Sequence, residues 1–145
     1  MSLHGDYDPD NIFARILRGD MPSAKVWEDE HVLAFMDVFP QSEGHVLIIA
    51  KASQARNLLD VEPEVLARLT AALQRTARAI EKALRPDGIS VMQFNGAAGG
   101  QTVFHLHFHI IPRWQGRPMK GHGHEPMADA AVLKTLADRI AAELD

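Results

Sequence analysis

The chain has 145 residues, with 15 Lys+Arg against 19 Asp+Glu and a formal net charge of −4, so a whole-chain basic footprint for nucleic acid is absent. Hydrophobic residues make up 46% and charged residues 23%, which excludes disordered and low-complexity readings and leaves a chain able to bury a core. There is no cysteine, which removes disulfides, thiol catalysis and thiolate metal ligands and suits a reducing cytoplasm.

No apolar run approaches the roughly 18–20 residues that span a bilayer. Residues 1–8 are expected to be a flexible start and are not read as a signal peptide. Asp8-Pro9 predicts a helix N-cap followed by proline at the first helical position. Ile12, Phe13, Ile16 and Leu17 then recur at helical spacing, and Gly19 closes the helix. Three strand-like runs follow: Ala24 to Glu28, His31 to Asp37, and His45 to Ala50. The last is nearly all apolar, as in a strand covered on both faces. The linker from Phe39 to Gly44 reads as a tight turn.

A long helix is expected from Glu62 to Leu84, with Val65, Leu69, Leu73, Thr76, Ile80 and Leu84 on one face. Arg85-Pro86-Asp87-Gly88 ends it. Ile89 to Phe94 reads as a strand, and Asn95 to Gly100 as a loop of small residues. Val103 to Ile111 reads as the last strand, stopped by Pro112. Residues 115–126 form a loop with His122 and His124, read as solvated, before an amphipathic helix marked by Leu133, Leu136, Ala137, Ile140 and Leu144. The order predicts one α+β domain with a mostly antiparallel sheet, a long helix and a C-terminal helix.

The chemistry concentrates in Gly99-Gly100-Gln101-Thr102-Val103-Phe104-His105-Leu106-His107-Phe108-His109. Strand side chains alternate, so His105, His107 and His109 share one face at intervals of about 6.6–6.8 Å. Leu106, Phe108 and Ile110 anchor the other face on the core. Three readings compete for the imidazole face. It is a structural patch, a metal site completed by His45 or by His122 and His124, or a phosphoryl-transfer site. Neutral imidazole is a good nucleophile near pH 7. Attack on phosphorus needs donors for the non-bridging oxygens. Gly100, Gln101 and Thr102 stand just upstream, where close backbone amides, a carboxamide and a hydroxyl could supply them.

The run His105-Leu106-His107-Phe108-His109-Ile110-Ile111 resembles the signature of the histidine triad (HIT) superfamily, its Hint-like and bacterial hydrolases above all. Ile12-Phe13, Asp37, Pro40-Gln41, Gly44 to Ile48, and Asn95-Gly96 with Gly99 to Val103 agree with it, from about Asn11 to Trp114. The resemblance implies a HIT-like fold and a hydrolase acting at the α-phosphate of a nucleotide. His107 would be the nucleophile and His109 would contact phosphate oxygens, with His105 and His45 supporting them. Asp37 would bind ribose hydroxyls; Asn95, Gly100, Gln101 and Thr102 would contact phosphate or leaving group; Ile12, Phe13 and Phe35 would line the base pocket. It also implies a purine nucleotide substrate, no cofactor, and a homodimer formed through the long helix and a sheet edge, with no nucleic-acid or membrane partner. Non-catalytic nucleotide binding is the alternative, and a histidine-rich metal module a third. Many bacterial relatives carry Cys-x-x-Cys near the first helix and bind zinc with two histidines. Here Asn11 and Ala14 stand in its place and cannot replace thiolates, so His45 and His105 are expected to be released for other work.

Overall fold

The computed structural model describes residues 2–120 and 127–145. His122 and His124 therefore lie outside the described residues. The first helix, α1 (Ile12–Arg18), is capped by Asn11, whose Oδ1 accepts from the N–H groups of Phe13 and Ala14. Asp8 is not the cap. Its carboxylate accepts from the Asp10 N–H and its carbonyl from Asn11, so Asp8 and Pro9 form a turn ahead of the helix. Gly19 ends α1 in the left-handed conformation, as expected.

Strands β1 (Lys25–Glu28), β2 (Val32–Met36), β3 (Val46–Ala50), β4 (Gly88–Met92) and β5 (His107–Arg113) form one antiparallel sheet in the order β1-β2-β3-β5-β4. Helices α2 (Pro63–Leu84) and α3 (Ala130–Ala141) complete the α+β architecture. The final strand starts later than its apolar alternation suggests, at His107 rather than Val103, and it continues through Pro112. Pairing with β3 stops at Val46 opposite Ile110. Beyond that point, among the described residues, β5 has a sheet neighbour only in β4, and a residue without an N–H is accommodated.

Every residue of β2 and β3 is buried, because the sheet is covered on both sides. One face, including Ala34, Met36, Val46, Ile48, Phe108 and Ile110, packs against Leu69 and Ile80 of α2 and Leu133 and Ile140 of α3. The alternate face carries Leu33, Phe35, Leu47 and Ile49 beneath Phe13 of α1. This second, thinner layer is where the histidines emerge.

Residues 2–7, expected as a loose start, are tied to two loops. Arg56 donates to the Ser2 and Asp6 carbonyls, Asn57 to the Leu3 carbonyl, and the Ala97 N–H to Ser2 Oγ. Gly44, between β2 and β3, has φ +86, and a Cβ there would collide with Leu84 and reach 3.3 Å from Pro112 Cγ. Gly44→Ala is expected to lower the unfolding free energy by about 1–3 kcal/mol, measured by urea titration.

Candidate active site

His107 and His109 hold alternate positions on β5, opposite Ile49 and Leu47 of β3. Their ring centroids lie 4.9 Å apart and both are buried. His105 precedes the strand and lines a different hollow from the other two imidazoles. Phe13 stands edge-on to both His107 and His105, at 4.9 and 6.1 Å. The face of the sheet that α1 covers therefore carries an aromatic wedge beside the histidines.

Hydrogen bonding sets the tautomer of each ring. His107 Nδ1 lies 2.7 Å from the His105 carbonyl, which can only accept. In its neutral form His107 thus keeps its proton on Nδ1 and its lone pair on Nε2. The Gln41 N–H donates to His45 Nδ1 at 3.0 Å, which puts the neutral His45 proton on Nε2. That nitrogen lies 2.9 Å from His109 Nδ1 and 3.5 Å from Asp37 Oδ2. His109 accepts at Nδ1, so its own proton sits on Nε2. The chain Gln41–His45–His109 is a one-way relay of donors.

His105 is held differently. Tyr7 Oη lies 2.7 Å from its Nδ1. Burial, then the neighbouring His107, push its pKa down from 6.5 to about 4, against the opposing pull of Ala50.

A cleft of about 230 Å³ opens over His107 and His109. Ile12, Phe13, Phe35 and Leu47 give it an apolar floor, and Asp37 and Thr102 join the two imidazoles as its polar groups. The structure thus brings together seven of the residues that the sequence singles out. His45 lies behind His109, and His105 faces a separate hollow with Tyr7, Ala14 and Ser53. Asn95, Gly100 and Gln101 are not among the cleft's lining residues. Asn95 exchanges hydrogen bonds with Gln93 and accepts from Leu58. Gln101, almost wholly buried, ties Gly96 to the carbonyls of Arg56 and Val103. Gly100 adopts φ +103 with Phe94 close by. These three shape the loop that delivers Thr102.

Sequence reasoning missed Leu47, Phe94 and Tyr7. The two-residue strand period running from His45 does place Leu47 on the histidine face. Phe94 meets His109 edge-on at 5.5 Å, a contact made only when β4 pairs with β5. Nothing local marks Tyr7.

The zinc centre of the bacterial relatives does not fit. Asn11 is spent as a helix cap, Ala14 offers no donor, and His105 Nδ1 is bonded to Tyr7. Nor do His45 and His105 share a site, since one joins His109 and the other Tyr7. Among the described residues, Asp37, His45 and His109 bring three ligand atoms within 4.8 Å of one another. A metal there would have to displace the bond between the two imidazoles.

An antiparallel sheet with helices on one face, and a paired-imidazole cleft on the other, defines the nucleotide-handling histidine triad class of α+β proteins. The chain belongs to the HIT domain family, which matches residues 18–116, and whose members are nucleotide-binding hydrolases and transferases. It is similar to Protein hit of Bacillus subtilis, 43% identical over 88% of this chain and 81% of that protein. It is 35% identical to adenylylsulfatase HINT3 of Arabidopsis thaliana over 90% of this chain and 68% of that protein. The crystal structure of a Hit-like protein from Bartonella henselae superposes with a TM-score of 0.91 at 46% identity, covering 97% of this chain and all of the other. Among the described residues no helix is long and apolar enough to cross a membrane.

The His105 environment makes a pH prediction. The unfolded ring takes up a proton near pH 6.5, whereas the folded ring resists it until about pH 4. Stability is therefore retained above about 6.5 and falls as pH drops from 6.5 to 4, by a total on the order of 3 kcal/mol. Urea unfolding followed across that window should show the slope, and His105→Asn should remove roughly one proton's share of it.

Proposed function

We propose that the protein hydrolyses a nucleotide at its α-phosphorus through a nucleotidyl-His107 intermediate. The observation that carries this reading is the 2.7 Å bond from His107 Nδ1 to the His105 carbonyl, which leaves the lone pair of the neutral ring on Nε2 beside the cleft. In the first step Nε2 attacks phosphorus, the bond from phosphorus to the leaving group breaks, and a leaving amine takes its proton from solvent. The positive charge spread over the ring is held by the carbonyl at Nδ1. In the second step a water oxygen bonds to phosphorus as the phosphorus–nitrogen bond breaks, and a water proton returns to solvent, leaving a nucleoside monophosphate and the neutral imidazole.

His109, with its proton on Nε2, donates to a non-bridging oxygen, and the His45 relay keeps it in that tautomer. Asp37 accepts from ribose hydroxyls, and the floor of Ile12, Phe13 and Phe35 takes the purine. The Thr102 hydroxyl meets the phosphate or leaving group, and Asn95, Gly100 and Gln101 hold its loop. The substrates we favour are nucleoside phosphoramidates and acyl-adenylates, with dinucleoside polyphosphates second. The likeness to a protein named adenylylsulfatase adds the mixed sulfate anhydride to that set. We place the working unit as a homodimer. Its support is the outer edge of β4, with Ile89 and Val91 exposed and, among the described residues, no strand beyond it.

His107→Ala is expected to abolish turnover of an adenosine phosphoramidate while keeping nucleotide affinity within a few fold, read by steady-state kinetics and calorimetry. A comparable kcat in that variant rejects the nucleophile assignment, and nucleotide binding without turnover by the wild type would favour a regulatory binding protein. Asp37→Ala should raise KM for ribonucleotide substrates by roughly tenfold, the loss of about 1.4 kcal/mol of hydrogen bonding. An unchanged KM removes Asp37 from ribose recognition.

A further inference from the structure

The carbonyl that sets the His107 tautomer does not belong to a strand ladder. It is part of the His105–Leu106 peptide, in the bend just before β5. Such a carbonyl needs its direction fixed by other means. Its peptide N–H, on Leu106, donates to the Ala55 carbonyl at 3.0 Å. Its other flank is the His105 side chain, which is held at Nδ1. Of the two groups the phenol is the more acidic, so the Tyr7 hydroxyl donates across the 2.7 Å and the neutral ring accepts at Nδ1. The Tyr7 ring also packs against the imidazole at 5.7 Å.

Tyr7 reaches this place because its segment is tied down by Arg56, which donates to the carbonyls of Ser2 and Asp6. Tyr7 lies outside the cleft, in the hollow behind Phe13 that also holds Ala14 and Ser53. It is not among the cleft's lining residues. A buried acceptor such as His105 Nδ1 is costly to leave unmade, so loss of this hydroxyl should let the ring turn and carry the 105–106 peptide with it.

We infer that Tyr7 is a positioning residue: its hydroxyl anchors His105 so that the His105 carbonyl holds the His107 proton on Nδ1. This rests on the reading of His107 as nucleophile only for its catalytic consequence. The structural claim stands on the hydrogen bonds alone.

Tyr7→Phe keeps the ring and removes the donor. In long-range 1H–15N spectra of the labelled protein, wild-type His107 should show protonated Nδ1. In Tyr7→Phe that signature should shift toward a mixture of tautomers. With an adenosine phosphoramidate, kcat should fall about tenfold while KM stays within about twofold. A generally loosened fold would instead lower thermal stability and leave the His107 tautomer in the folded fraction unchanged.

Tyr7 is the only tyrosine in the chain. Biosynthetic replacement of tyrosine by a fluorinated tyrosine therefore alters this hydroxyl alone, and serves if Tyr7→Phe does not fold. The more acidic hydroxyl should move the His105 Nδ1 resonance and leave His107 protonated on Nδ1. An unchanged His107 signature in Tyr7→Phe, or a His105 resonance indifferent to fluorination, overturns the inference. The spectra need no turnover. If the wild type hydrolyses nothing while His107 responds to Tyr7, the hydrolase reading fails and this one stands; if turnover is present and His107 ignores Tyr7, the reverse holds.

Discussion

The bond from His107 Nδ1 to the carbonyl two residues before it is the constraint on which the rest of the site depends. An imidazole can present a lone pair from either nitrogen, and a side chain rotating about its bonds could offer the wrong one. A backbone carbonyl removes the choice because it has no proton to give. It costs no second titratable group beside the nucleophile. It also remains in place to meet the charge that grows on the ring during attack.

Around that bond the protein has buried four histidines in a small volume, at 0%, 2%, 7% and 4% exposure for His45, His105, His107 and His109. Unsatisfied polar groups at such depth would be destabilising. Here the donors run in consistent directions: Gln41 N–H to His45, His45 to His109, and Tyr7 hydroxyl to His105. Each neutral ring receives a hydrogen bond at one nitrogen or gives one to an oxygen that can only accept. A proton on Nδ1 of His45 or His109 would set two donors against each other, whereas His107 can carry one on Nε2 and keep its bond to the His105 carbonyl. At His105, burial and then the neighbouring His107 hold the pKa down.

The two faces of the sheet divide the labour. Residues such as Ile48, Ile80, Ile110 and Ile140, wholly buried between sheet and helices, supply the packing. Among the described residues the opposite face is roofed by α1, with its Phe13, and by Val103, which leaves room for a cleft. One strand serves both, with Phe108 and Ile110 turned to the helices and His107 and His109 to the cleft. The rigid side fixes the position of the chemical side.

Much of this was legible in the residues themselves. Strand period puts His107 and His109 on one face, apolar runs such as Val46 to Ala50 declare a strand buried twice over, and helical spacing marks α2 and its buried Leu69, Thr76 and Ile80. The HIT pattern in 105–111 pointed to the family. These are local signals, because side-chain period and turn chemistry act within a few residues. Contacts between distant segments lay beyond them. Alternation could not say that β5 begins at His107 and leaves His105 outside, since pairing with β3 ends the strand there. Glycine and carboxamide content could not say that Gln101 braces a loop instead of lining the cleft. Nor could it say that Tyr7, 98 positions away, would close on His105. The sequence determined which residues are available to the chemistry; the tertiary structure decided which nitrogen each imidazole presents. Tautomer depends on which donor or acceptor the fold brings within about 3 Å.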